Sequence, residues 1–299
     1  MTPLINYLYT ETQYVDATNT DNYNPLMPEL PEVETVCRAM QKALPGKRIV
    51  SISTSGKRLR EPINDTRLHK LINIKFIEIT RRAKYLFLHL ESGTTVLIHL
   101  GMSGNLLLRE PGEKHDHLIF HLDQERALVF NDPRRFGMVL VLEQNEIDTC
   151  PYLIRLGVEP LTPKFNNRYL IKKCHDRNTP IKNLIMDSRI VVGVGNIYAS
   201  ESLFKAKIHP QTPAMHLSQA QIIALTKAIK NILRRAVQKG GTTINDYLGS
   251  GEGGRFQQKL SVYGRNEQLC RNCSQAFIQR VKIAGRSTYF CPSCQKHNI

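Results

Sequence analysis

No run of about 18 apolar residues occurs in the chain, so a membrane-crossing helix is not expected. The start of the sequence lacks a basic patch followed by an apolar core, which argues against a secretory signal. Its first 26 residues hold Glu11, Asp16 and Asp21 but neither Lys nor Arg, a composition that also argues against a transit peptide. No internal repeat is present, which leaves solenoid and propeller folds without support. A disulfide framework is missing too. Seven cysteines are an odd number, and Cys37, Cys150 and Cys174 follow no pattern, so they read as buried thiols of a reducing, cytoplasmic protein.

What is present is length, apolar content and positive charge. The 299 residues, 41% of them hydrophobic, suffice for one large domain or two to three smaller ones. The formal net charge is +15. Three of the 26 acidic side chains lie in the first segment, so from Met27 onward 41 cations face 23 anions, a balance of +18. A globular chain this basic is expected to meet a polyanion, with nucleic acid the first candidate and an ordinary basic soluble protein the alternative. Charge alone does not choose between them.

Residues 1–26 are rich in Thr, Asn and Tyr and lack periodicity; they read as a disordered extension or a mis-assigned start. Pro31 suits the first helical position, and Val33, Val36, Cys37, Met40 and Leu44 follow at helical spacing until "LPG" at 44–46. From about 48 to 143 short β-type runs alternate with glycine turns, among them "KFIEITRRAKYLFLHL" as one run, which predicts an antiparallel sandwich or barrel with the first helix packed on it. "LGVEPLTPKF" at 156–165 reads as a hinge. Helices are expected at 166–175, 179–187, 196–206 and 217–239, and "LGSGEGGRF" at 248–256 as a Gly-rich loop.

"CRNC" at 270–273 and "CPSC" at 291–294 lie 17 residues apart, a spacing that marks zinc knuckles. Cys270, Cys273, Cys291 and Cys294 would together hold one structural zinc ion, because four thiolates leave no open position for water. Two redox pairs are the competing reading, but no βαβ pattern surrounds them. In "IVVGVGNIYASE" a Gly-x-Gly precedes a helix, yet the third small residue is mis-spaced for a dinucleotide turn. Amides at the helix start near Asn196 would suit a phosphate, of DNA or of a cofactor. "EKHDH" at 113–117 could offer two metal ligands on one strand face, though such histidines are more often hydrogen-bonded surface groups.

"MPELPEVETV", "RRAKYL", "HLGMSG", "KHDH", "NDPRRFG", "GVGNIYASE", "KGGTT" and the four-cysteine finger occur in this order over residues 27–299. Together they closely resemble the bacterial formamidopyrimidine-DNA glycosylases, which remove oxidised purines such as 8-oxoguanine. The sister endonuclease VIII proteins open with Pro-Glu-Gly-Pro-Glu, so Leu30 favours the purine-acting branch. The resemblance implies an α+β multidomain protein. Its parts would be a catalytic β-sandwich domain at 27–157, a helix-two-turns-helix domain at 158–262 and a zinc β-hairpin finger at 263–299.

The resemblance also implies roles. The nitrogen of Pro28, freed at a chain terminus, would attack C1′ of the damaged nucleotide, displace the base and form a cationic imine. Inside a chain the same nitrogen is an amide without a free lone pair. A free α-amino group titrates near ~8 against ~10.4 for lysine, so a useful fraction is nucleophilic at neutral pH. Met27 therefore reads as the translation start. Glu29 would act as general acid/base, Lys84 in the β-elimination that cuts the strand 3′ to the lesion, and Arg286 in the δ-elimination. Met102, Arg134 and Phe136 match residues that fill the hole left by a flipped base. His115, Arg134, Arg177 and Asn196 match DNA contacts, Arg177 standing where lysine is usual. The Gly-rich loop near 249–255 is slightly short for the family, which bears on substrate preference. The partner implied is double-stranded DNA with an oxidised purine or abasic site, met by a monomer in the bacterial cytoplasm at the nucleoid. Two other readings stay open: an endonuclease VIII-like enzyme for oxidised pyrimidines, and a non-catalytic binder of damaged DNA.

Overall fold

A computed structural model describes residues 27–123, 126–241 and 260–297. The expectations for residues 1–26, for the threonines of "KGGTT" and for the Gly-rich loop lie outside the described residues.

The chain opens with α1 (Leu30–Ala43), one residue earlier than Pro31 at the first helical position would place it. Its apolar residues Val33, Val36, Cys37 and Met40 fall on one stripe and are buried. That stripe packs on the sheet begun by β2 (Phe76–Arg82), where the Cys37 thiol reaches the Ile79 carbonyl at 3.7 Å. β2 continues into β3 (Tyr85–Leu90), β4 (Thr95–His99) and, after an excursion, β8 (Met138–Leu142), in the antiparallel order β2-β3-β4-β8. The run read as a single β stretch is thus two strands, broken at Ala83 and Lys84.

The excursion supplies three strands of the second sheet, and a strand that precedes β2 supplies the fourth. β1 (Ile49–Thr54), β5 (Asn105–Arg109), β6 (Asp116–Leu122) and β7 (Ala127–Asn131) pair antiparallel in the order β1-β6-β7-β5. Inward-facing residues of both sheets and the α1 stripe form one core, with Phe76 of the first sheet edge-on to Phe120 of the second at 6.1 Å. Both rings are fully buried, and truncating either to alanine costs about 3–5 kcal/mol.

A second core belongs to helices α4 (Asn167–Cys174), α5 (Ile181–Met186), α6 (Asn196–Lys205) and α7 (Gln219–Gln238). The short α2 (Asp65–His69) and α3 (Gln144–Ile147) sit beside the sandwich. α7 starts in a capping box, with the Gln221 amide donating to Ser218 Oγ at 3.2 Å and the Ser218 amide to Gln221 Oε1 at 2.9 Å. It packs against α1, α4 and α6, which brings the helical region onto the first helix of the sandwich. No helix among the described residues is long and apolar enough to cross a membrane.

The last unit is a hairpin of β9 (Gln279–Ile283) and β10 (Arg286–Phe290), turned by Ala284 and Gly285, both at positive φ. It docks on the helices by buried polar contacts. The Glu201 carboxylate accepts the amides of Ser261, Val262 and Tyr263 at 2.8–2.9 Å, and Gln295 Nε2 donates to the Ile208 carbonyl at 2.8 Å. The architecture is α+β and multidomain.

Candidate active site

The seat of the site is the junction between α1 and α6. Glu29 precedes α1 and is buried, its carboxylate aimed at the start of α6. There it accepts the amides of Gly195 at 2.7 Å, Ile197 at 2.8 Å and Tyr198 at 3.3 Å. The exposed amides of a helix N-terminus attract an anion, and here the anion is a side chain of the protein itself. The Gly-x-Gly turn, read as a seat for a phosphate, serves this contact instead. A Cβ on Gly195 would lie 2.3 Å from the Glu29 carboxyl carbon, and Gly193, at φ 78°, accepts the Leu30 amide through its carbonyl at 3.0 Å. Glu32 completes the seat, accepting the Glu29 amide at 3.0 Å and the Tyr198 hydroxyl at 2.7 Å.

Burial pushes the Glu29 carboxyl up to about 7; Glu32 adds to the rise, while Lys84 and the Ile197 and Gly195 amides oppose it. Lys84 shares this cleft. Its side chain is partly exposed, but desolvation holds the ammonium below the usual lysine range; Arg286 reinforces that, and Glu29 and Glu32 oppose it. A carboxyl raised to near neutrality, facing a lysine lowered from its usual range, is an arrangement that suits general acid–base chemistry. Pro28 precedes Glu29 directly and is partly exposed, its nitrogen bonded to the Met27 carbonyl as the chain stands.

Arg286, exposed at the start of β10, is placed by a residue the sequence reading missed. Lys182 on α5 is 1% exposed, and its ammonium donates to Thr288 Oγ1 at 2.6 Å and to the Asn196 side-chain carbonyl. Asn196 Nδ2 in turn donates to the Ser287 carbonyl at 2.8 Å. Asn196, expected at the DNA, thus has its side chain committed to the finger. Burial, with help from Arg286, pushes Lys182 down to about 8, against the pull of Glu29. "PIKN" gave no local sign of this, since each of these partners is far away in sequence.

A second group forms where two loops meet at the edge of the sandwich. Asp132 is fully buried and accepts the Ser103 hydroxyl at 2.6 Å and the Gly137 amide at 2.7 Å, stapling the "GMSG" turn to "DPRRFG". Its own amide donates to the His115 carbonyl at 3.0 Å, which adds "KHDH" to the cluster. Met102, partly exposed, and Arg134 and Phe136, exposed, project from the stapled loops, the guanidinium 5.1 Å from the Phe136 ring centre. Phe136 leaves 48% of its surface open, unusual for an aromatic residue that has a core to join. His99 links the two groups. Burial, with Lys84 and Arg60 nearby, pushes it down to about 3, so the neutral ring accepts the Gly101 amide at 3.0 Å and packs at a 54° tilt against Tyr85, next to Lys84. Arg177 lies apart on the exposed turn after α4; the Asp187 carboxyl, lowered mainly by its Arg189 hydrogen bonds, is lowered slightly further by the Arg177 charge.

"KHDH" forms no metal site among the described residues: Asp116 is bound to Arg109 at 2.6 Å and to Asn131, and His117 to Ser55 at 2.8 Å. The four finger cysteines do, with all four sulfurs within 4.8 Å of one another. The Cys270–Cys294 and Cys273–Cys291 sulfurs stand 3.9 and 3.7 Å apart. Zinc–sulfur bonds of about 2.3 Å make a tetrahedron with edges near 3.8 Å, so the set fits one structural zinc. Amides of Asn272 and Cys294 donate to Cys270 and Cys291 Sγ at 3.4 Å, as thiolate ligands require.

Comparison with known proteins gives the same picture. Residues 27–139 match the formamidopyrimidine-DNA glycosylase N-terminal domain, 156–247 that family's H2TH domain, and 268–296 the zinc finger found in FPG and IleRS. The formamidopyrimidine-DNA glycosylase of Legionella pneumophila (strain Lens) is 46% identical over 274 residues, covering 90% of this chain and 98% of its own. A crystal structure of wild-type Lactococcus lactis Fpg (MutM) with DNA containing N7-benzyl-Fapy-dG superposes with a TM-score of 0.83 at 35% identity. It covers 90% of this chain and 100% of the other. The complex of Lactococcus lactis Fpg with abasic-site DNA gives 0.82 at 35% identity, with the same coverage. The chain belongs to the formamidopyrimidine-DNA glycosylase family.

Proposed function

We propose that this protein is a base-excision repair enzyme, a glycosylase for oxidised purines in duplex DNA that also cuts the strand at the resulting abasic site. The observation that carries this reading is the seat of Glu29: a buried carboxyl held near neutral pKa, one residue after Pro28 and within the field of Lys84. With Pro28 at a free terminus, its neutral nitrogen attacks C1′, the N-glycosidic bond breaks, and the departing base takes a proton from Glu29. The Glu29 carboxylate then takes the proton from the alkylated Pro28 nitrogen and gives it to O4′ as the C1′–O4′ bond breaks, which leaves an iminium ion between Pro28 and C1′. That cation acidifies the C2′ hydrogen. A neutral Lys84 takes the C2′ proton and the 3′ phosphate leaves, which is the β-elimination. Arg286 holds the remaining phosphate for the second elimination.

Met102, Arg134 and Phe136 would fill the void left by the flipped nucleotide, and His115, Arg177 and Asn196 would set the backbone around it, Asn196 through the finger it anchors. In this reading the division at residues 157 and 262 separates the catalytic sandwich, the helix-two-turns-helix unit and the finger. The protein acts as a monomer on chromosomal DNA in the bacterial cytoplasm. Because Pro28 follows Met27 in the chain, a second reading applies while residues 1–27 remain attached: the protein then binds damaged DNA without excising the base.

The deciding experiment compares a chain beginning at Pro28 with the full chain, on duplexes holding 8-oxoguanine or thymine glycol. Borohydride should trap a protein–DNA adduct with the first chain and 8-oxoguanine, and none with the full chain. No adduct from the Pro28 chain on either duplex refutes the proposal; trapping favoured on thymine glycol moves the substrate to oxidised pyrimidines.

A further inference from the structure

The turn that carries Lys84 is held in a costly backbone conformation by a side chain from the segment between the sandwich and the helices. β2 ends at Arg82 and β3 begins at Tyr85, so Ala83 and Lys84 are the whole turn. Ala83 has φ of 57°, in the left-handed region where a Cβ crowds the backbone, and it is buried. Such positions persist only where their surroundings enforce them.

The enforcing group is Glu159. The Ala83 amide donates to Glu159 Oε1 at 2.6 Å, and the Ala83 carbonyl accepts from Arg81 Nη1 at 2.8 Å. Arg81 Nη1 and Nη2 donate onward to Glu159 at 3.2 Å, and its Nε donates to Glu34 at 2.7 Å. Arg82 Nη1 adds a 3.2 Å bond to Glu159, while its Nη2 caps the carbonyls of Leu156 and Gly157. Only 11% of the Arg81 side chain and 17% of that of Glu159 meet solvent, so these charge-assisted bonds are shielded. Both polar groups of the left-handed residue are therefore closed by one network with Glu159 at its centre. The arginines of "RRAK" are consumed in this network rather than offered to a polyanion.

We propose that Glu159 is a positioning residue for Lys84. By enforcing the left-handed turn it fixes the direction in which the next residue's side chain leaves the backbone, and so where the ammonium meets the cleft. Released from the clamp, Ala83 relaxes toward negative φ and swings the Lys84 Cα–Cβ bond. The inference rests on the reading of Lys84 as the strand-cleaving residue and assigns Glu159 no contact with DNA.

The test uses chains beginning at Pro28: unaltered, Glu159→Gln, and Glu159→Gln with Ala83→Gly. Cleavage is followed on a duplex with a preformed abasic site, base release on an 8-oxoguanine duplex, both at saturating enzyme. The glutamine amide nitrogen must face one of the arginines, which opens the clamp. Cleavage should slow about tenfold in Glu159→Gln, the scale of a misplaced catalytic group, while base release and DNA affinity hold. Glycine at position 83, which adopts the turn without enforcement, should restore most of the lost rate. Unchanged cleavage in Glu159→Gln overturns the inference. So does an equal fall in cleavage, base release and affinity without rescue by glycine, since that is the mark of a loosened hinge. An unaltered chain that cannot cut the abasic duplex overturns the reading of Lys84 itself, and the inference with it.

Discussion

Replacing Gly195 by alanine tests the seat of Glu29 without touching a charged or polar side chain. The backbone there is not left-handed, so alanine is conformationally tolerated and the effect is steric. The new methyl would stand 2.3 Å from the Glu29 carboxyl carbon and 2.5 Å from Oε1, where ordinary contact begins at 3.4 Å. The carboxyl must therefore retreat by about 1 Å, which breaks the 2.7 Å bond from the Gly195 amide and lengthens the one from Ile197. A hydrogen bond to the neutral carboxyl contributes about 0.5–1.5 kcal/mol, which corresponds to a roughly two- to tenfold change in any step that needs protonated Glu29 in place. Single-turnover base release by Gly195→Ala in a chain starting at Pro28 should fall by that factor, with affinity for a duplex holding an abasic analogue unchanged. The Lys84 step on a preformed abasic site should fall less. Base release at the unaltered rate, in a folded variant, would show that the seated carboxyl has no part in the chemistry.

The pH profile of base release should be bell-shaped. The acid limb reports a Pro28 amine near ~8 that must be neutral, and the alkaline limb reports Glu29, raised by burial to about 7, which must be protonated. The maximum should fall near pH ~7.5, and a rate still climbing at pH ~9 contradicts the acid role of Glu29. Phe136→Ala removes a ring already 48% exposed, so stability should move by no more than about 0.5 kcal/mol while processing of a lesion in duplex DNA slows; a large drop in melting temperature would make it a core residue instead. Lys182→Met leaves the Asn196 carbonyl without its donor, a cost of about 1–3 kcal/mol, and leaves the buried Thr288 hydroxyl with only its 3.3 Å bond to the Arg286 carbonyl. Thermal melting and limited proteolysis should show a loosened finger, and an unchanged protease pattern would refute the anchor.

Most of the architecture was legible because it is written in local patterns. The α7 stripe, the alternation of β5 and β6, and two Cys-x-x-Cys knuckles each follow from spacing that a short window holds. The long β run failed at Ala83 because a left-handed alanine carries no residue signal of the kind glycine or asparagine gives. The Gly-x-Gly turn was read as a seat for a phosphate, and the carboxyl that occupies it was missed, since nothing local says that an acid more than 160 residues away will fill it. Lys182, Glu159 and Glu201 were invisible for the same reason: each bonds partners tens of residues distant, and in the sequence each is one charge among many.

The bonds between Glu29 and the start of α6 join residues 166, 168 and 169 positions apart. A ribosome adds roughly 5–20 residues each second, so the sandwich, whose last strand ends at Leu142, is complete for roughly three to ten seconds before its acid has anywhere to sit. At the start of that interval the nascent domain has neither a seat for Glu29 nor Glu159 to hold the turn that carries Lys84. Chemistry on the genome is thus withheld until the helical region has been made and docked. A chain released early by a stalled ribosome would be an inert sandwich rather than a loose nuclease.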